Sequence, residues 1–204
     1  MNPWQLLVLA LESAVQTVGV RAGVEQPEYR TLQKAGPLEL REYPPRIVAE
    51  TTVMGNAEAA RNAGFRRVAA YIFGANRGHQ EVAMTSPVVQ RGGEQIAMTS
   101  PVVQAPSGKA WKIQFVMPAR YTLDTLPQPA DPEVRVRQEP AARYAVLRFT
   151  GSRSAAAVES RTRILLQQAA AHGWRTKGAP VGWFYDPPWT LPPLRRNEVA
   201  VELD

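Results

Sequence analysis

One octapeptide occurs twice, as Ala83-Met84-Thr85-Ser86-Pro87-Val88-Val89-Gln90 and again, 14 residues on, as Ala97-Met98-Thr99-Ser100-Pro101-Val102-Val103-Gln104. The intervening Arg91-Gly92-Gly93-Glu94 has the composition of a hairpin turn. The spacing therefore predicts two neighbouring antiparallel strands, over about 80–90 and 95–104. Each proline lacks a ladder donor, so each copy should meet a sheet edge or a bulge there. Met84 and Met98 are flexible and polarisable, a type that suits the wall of an adaptable cavity.

Strands also dominate elsewhere after Tyr29. Leu38-Glu39-Leu40-Arg41-Glu42-Tyr43 alternates apolar and polar, the period of a half-buried strand, and Pro44-Pro45 ends it. Arg46 to Met54 gives a second strand. Asn56 then caps a helix that carries Glu58 in its first turn and runs to about Phe73, with Gly74 and Asn76 stopping it. Phe65, Val68, Ala69 and Ile72 recur at helical spacing and predict its buried face. Another strand is expected over 110–117, and a proline-rich loop from Asp124 to Pro132. Val134 and Val136 mark a strand broken at Pro140, and Arg143 to Thr150 the next. A second helix capped near Ser154 presents Val158, Thr162, Leu165, Leu166 and Ala169 and ends at Gly173, before strands near 180–186 and 197–203. Leu38–Met54 matches Val134–Thr150 in this pattern, which reads as a duplicated β-β-α-β unit. The fold class is α+β, two helices packed on a curved antiparallel sheet.

Composition narrows the chemistry. With 204 residues and no cysteine, the chain buries an adequate core without disulfides and offers no thiolate ligand or nucleophile. The two histidines, His79 and His172, stand far apart, which argues against a zinc site of ordinary ligation. The net charge of +6 comes mostly from scattered arginines with no basic run, so nucleic acid is not the expected partner. Gly92-Gly93 is a turn signal rather than a phosphate loop, and no Ser-His-Asp order is visible.

Residues 1–24 form an extension of their own, and 25–204 the domain. Trp4, Leu7, Val8, Leu11, Val15 and Val18 fall on one helical face, while Glu12 and the missing basic n-region weigh against a signal peptide. The extension reads as an amphipathic helix that packs on the domain or on a membrane surface through residues 1–23, in a cytoplasmic or membrane-peripheral protein. The alternative is a signal peptide cut near Ala22, which implies the periplasm.

Several motifs occur in order: Glu39-Leu-Arg-Glu-Tyr-Pro44, Tyr71-Ile-Phe-Gly74, the doubled Met-Thr-Ser-Pro-Val, Trp111-Lys-Ile-Gln-Phe-Val-Met-Pro118, Tyr185-Asp-Pro-Pro188 and Arg195-Arg-Asn-Glu-Val199. Together they resemble the SOUL haem-binding family, from about Glu25 to the C-terminus. The resemblance implies a distorted antiparallel β-barrel of two pseudo-symmetric halves. It also implies haem or another tetrapyrrole, weakly or not axially ligated, bound by a non-enzymatic carrier or buffer at an apolar surface beside the first helix. The fold is similar to that of GyrI-like effector-binding domains, which grip small hydrophobic molecules and include hydrolases.

On that reading, Phe65, Val68, Ala69 and Ile72 line the ring site, and Tyr185 and Trp189 offer flat faces for stacking. Met84 and Met98 add cavity wall. Arg61, Arg66 and Arg67 are of the type that pairs with propionates. Ala70 stands where haem-binding members carry a basic residue. His172 falls in the last turn of the second helix, where a cation suits the dipole. The enzymatic alternative, a small-molecule hydrolase, needs a buried carboxylate with a raised pKa, for which Glu198 and Glu50 are the candidates.

Overall fold

The computed structural model describes residues 25–77, 96, 100–107, 109–187 and 189–204. The expected N-terminal helix, the first octapeptide copy, its turn, His79, Met84 and Met98 lie outside the described residues. In chain order the elements are β1 (Arg30–Ala35), β2 (Leu38–Tyr43), β3 (Arg46–Met54), α1 (Ala57–Ile72), β4 (Asn76–Arg77), β5 (Val102–Ser107), β6 (Ala110–Val116), β7 (Gln128–Pro129), β8 (Arg135–Glu139), β9 (Ala142–Phe149), α2 (Ala155–Ala171), β10 (Thr176–Phe184) and β11 (Asn197–Leu203). Among the described residues the fold is α+β, with two α-helices and antiparallel sheet. No pairing among the described residues closes a barrel.

The chain divides into two compact units, one of residues 30–42 and 143–204, the other of 25–29 and 43–142. Strand order in the first is β1-β2-β9-β11-β10, and in the second β8-β3-β6-β5. Apart from β1 the two orders correspond strand for strand, as a duplication requires. The lead strand of each repeat is exchanged. β2, which opens the first repeat, lies beside β9 of the second, and β8 pairs with β3 of the first. Consecutive repeats thus became interlocked rather than serial, a fact of pairing that sequence periodicity does not carry.

Each unit buries one helix against its sheet. In the first, Leu38, Leu147, Leu165, Ala169, Val199 and Val201 form the core. Ser154 caps α2 by accepting from the Ala157 amide at 3.3 Å. Leu166, expected inside, is 37% exposed, because the helix presents only Leu165 and Ala169 squarely to the sheet. In the second unit, Asn56 Oδ1 accepts from the Ala59 amide at 2.9 Å to start α1, and Gly74 at φ 106° ends it in the left-handed region that favours glycine. Val68, Tyr71 and Ile72 pack there on Ala49, Ile113 and Phe115.

The buried face of α1 is turned from the expected one. Ala60, Arg61, Gly64, Val68, Ala69, Tyr71 and Ile72 are buried, while Phe65 is 39% exposed. Gly64 is the reason the helix sits this way. A Cβ built there would lie 2.7 Å from Ile113 Cβ and closer still to its Cγ1. Ile113 is β-branched and fully buried, so it has nowhere to yield. Helix propensity alone favours Gly64→Ala by about 1 kcal/mol. Overpacking wins, and the variant should lose a net of about 1–2 kcal/mol. A lower urea midpoint at unchanged slope would register this.

The octapeptide's described end is structural. β5 begins at Val102, directly after Pro101, as a residue without an amide donor demands. Gln104 Nε2 donates to the Ala57 carbonyl at 2.6 Å, and Arg61 donates to Gln104 Oε1 at 3.2 Å, which fastens the motif to the first turn of α1.

Candidate functional site

The residues expected around the first helix separate into three groups. Val68, Ala69 and Ile72 belong to the core, at 0, 7 and 0% exposure, so they support the helix instead of facing a ligand. Arg61 is buried and bonded to Gln104, and Arg67 is held by Asp131 at 3.4 Å, Glu133 at 2.6 Å and the Thr51 hydroxyl at 3.1 Å. Phe65 and Arg66 remain on the surface. They are joined by Phe73, 55% exposed, which sequence reasoning passed over because it follows the last helical turn. At 100° per residue, Asn62, Phe65, Arg66, Ala70 and Phe73 share one face, and the backbone positions of the two phenylalanines lie about 12 Å apart along the axis. Small Ala70 beside them leaves the strip flat. Phe65 is further fixed by Phe115, its ring centroid 5.4 Å away.

Tyr185 and Trp189 belong to the other unit. Tyr185 is not a free stacking face: Arg196 lies over its ring at 4.0 Å, and its hydroxyl donates to Glu198 Oε2 at 2.7 Å. Trp189 is 56% exposed. His172 caps α2 and stacks on Trp174 at 4.9 Å, as its place at the helix end suggests.

Glu198 is the centre of a buried ionic cluster. It is fully buried and accepts five hydrogen bonds: from Arg41 at 2.8 and 3.1 Å, from Arg196 Nε at 2.9 Å and Nη2 at 2.8 Å, and from Tyr185. Arg41, at 2% exposure, is the more surprising member. Strand alternation placed it in solvent, yet β2 turns it inward, with Nε held by Glu39 at 2.8 Å. Burial by itself pushes the Glu198 carboxyl up. The hydrogen bonds and charge of Arg41, with Arg196 and Tyr185 behind them, outweigh burial and hold it below the ordinary carboxylate range. Glu50 follows the same logic: burial raises it, and Arg137 at 3.0 Å and Gln114 at 2.8 Å more than reverse the effect. A general acid needs a raised pKa. Neither carboxyl has one, and each is already saturated by fixed donors.

A cavity of about 670 Å³ lies in the unit of residues 43–142, between the Pro44-Pro45 turn and the segment 117–124. Sequence reasoning missed it; the only signals were the proline breaks at its rim. Ile47, Met117 and Tyr121 line it beside the acids Glu25, Glu28 and Asp124. Its one arginine, Arg46, is paired with Glu139 at 3.1 Å. The volume suits a small molecule, but the surplus of carboxylates repels an acidic one. Among the described residues no cluster of His, Asp or Glu is arranged to hold a metal ion.

The family described as SOUL heme-binding protein matches residues 24–202. The chain belongs to the SOUL haem-binding family. Among solved structures, the C-terminal domain of EcmrR aligns with a TM-score of 0.54 at 12% identity, covering 86% of this chain and 98% of that one. A hydrolase from Listeria innocua aligns at 0.52 and 12% identity, covering 90% and 94%. At such identity the likeness is one of fold, and function must be argued from sites. No curated protein sequence matches the chain. Against the SOUL family's expected ligand, the exposed face of α1 fits a flat ring and a carboxylate. It does not fit axial ligation, since Ala57–Ile72 contains no His, Met or Cys and Tyr71 is spent on the Pro127 carbonyl at 2.8 Å.

Proposed function

We propose that this protein binds haem or a related tetrapyrrole on the exposed face of α1, as a carrier or buffer. The observation that carries the reading is the pair of exposed rings, Phe65 and Phe73, on one helical face of a SOUL-family chain. The rings and the flat alanine strip contact the macrocycle, and Arg66 pairs with a propionate. Iron receives no ligand from this helix, so the macrocycle's faces and acids supply the affinity. The acid-lined cavity disfavours the same ligand by repelling its propionates.

Titrating the full chain with hemin should give a saturable Soret shift at micromolar protein. Changing Phe65 and Phe73 together to Asp should weaken binding by about tenfold or more, equivalent to about 1.4 kcal/mol or more. Arg66→Glu should weaken hemin but spare its dimethyl ester, which has no carboxylate to pair. A double variant that binds hemin like the wild type would sink this reading.

A further inference from the structure

The segment between β10 and β11 carries a second surface that the tetrapyrrole reading does not use. Trp189, Leu191 and Leu194 are 56, 51 and 44% exposed, and Pro192 and Pro193 beside them are exposed as well. No charged residue falls between Trp189 and Leu194. Single exposed leucines are ordinary, but Leu191 to Leu194 exposed together beside an exposed Trp189 are not.

This run is held out deliberately by a rigid frame. Thr190, fully buried, anchors it from beneath, its amide donating to the Pro187 carbonyl at 3.2 Å. Arg195 Nε donates to the Thr190 carbonyl at 2.7 Å, and the Gly151 amide to that of Pro192 at 2.9 Å. At its base the Arg196 amide donates to Asp186 Oδ2 at 2.6 Å. A chain free to collapse would tuck these side chains in; this one is braced with them outward.

Charge identifies what they meet. Residues 30–42 and 143–204 contain twelve Lys and Arg against seven Asp and Glu, which places +5 of the chain's +6 in the unit that bears the run. Arg153 and Arg195 flank it directly, through the Asp186 and Thr190 carbonyls. A tryptophan-led apolar tip flanked by two arginines on a net-positive unit matches the layered chemistry of a bilayer interface with anionic headgroups. A second copy is disfavoured, since apposing two such units sets like charges together. We propose that Trp189, Leu191 and Leu194 insert into the interfacial layer of an anionic membrane. The insertion is shallow, as six residues fall far short of a span.

Sedimentation of the full chain with phosphatidylcholine vesicles, with and without phosphatidylserine, tests this. Pelleting is expected with phosphatidylserine and should decline with salt. Replacing all three side chains by Ala should weaken it by about tenfold or more, at ~1.4 kcal/mol per decade. Brominated lipids should quench wild-type fluorescence and quench it less in Trp189→Phe, a conservative change that keeps the loop. Equal pelleting of wild type and triple variant would transfer membrane contact to residues 1–23 or to charge alone, and overturn the assignment. So would absence of quenching, or a lipid-free dimer that the triple variant abolishes. Hemin binding is read separately, so either site can fail without the other.

Discussion

Glu198→Gln lowers the unfolding free energy by about 3–5 kcal/mol, the usual cost of removing one partner from a buried ion pair. Arg41 is 2% exposed, and only Glu39, 16% exposed, would remain to balance it. The loss should appear as a drop of roughly 6–20 °C in melting temperature for a chain of this size. It stems from the stranded arginine more than from the missing contact. Removing Arg41 as well, Arg41→Met with Glu198→Leu, should therefore recover part of it, the remainder being the Arg196 guanidinium and Tyr185 hydroxyl that still lose their acceptor. A double variant as unstable as the single one contradicts this account. The same cluster sets the acid limb of stability. The folded-state pKa of Glu198 lies below the ordinary 4.5, so its contribution is complete above that value and disappears as pH falls through the folded one. Urea unfolding from neutral pH downward should show a steeper decline in wild type than in Glu198→Gln.

Ile72→Ala costs about 2–5 kcal/mol, because Ile72 is fully buried among Ala49, Val68 and Phe115 and its removal leaves a cavity. Phe65→Ala costs much less, since its ring is already 39% exposed. Hemin affinity should respond in the opposite order, measurably to Phe65 and not to Ile72. Unfolding and Soret titrations on the two variants separate supporting residues from contacting ones. If Ile72→Ala weakens hemin more than Phe65→Ala does, the ring lies deeper than the helix surface.

Both results depend on a distinction that helical periodicity does not make. Phe65, Val68, Ala69 and Ile72 share one apolar stripe in sequence, and the structure rotates that stripe so that Phe65 leaves the core. Gly64 causes the rotation by admitting Ile113, and Tyr71 follows inward because the Pro127 carbonyl satisfies its hydroxyl. Arg41 shows the same limit on a strand. Alternation assigned it to water, and a partner 157 residues away brought it inside. The apolar tip at Trp189 was visible as aromatic sequence, whereas its exposure depended on Thr190 and Arg195 bracing the loop.

The sequence by itself determined both helices with their caps, the longer strands from β2 onward but not β1, β4 or β7, the proline breaks, the repeated pattern and the SOUL family, because these follow from local chemistry and the spacing of motifs. Tertiary structure alone decided that the repeats exchange their lead strands, which helix face is buried, and that Glu198 is clamped in its charged form. Those outcomes rest on contacts between residues far apart in the chain, where burial and pairing overrule any preference a single segment has.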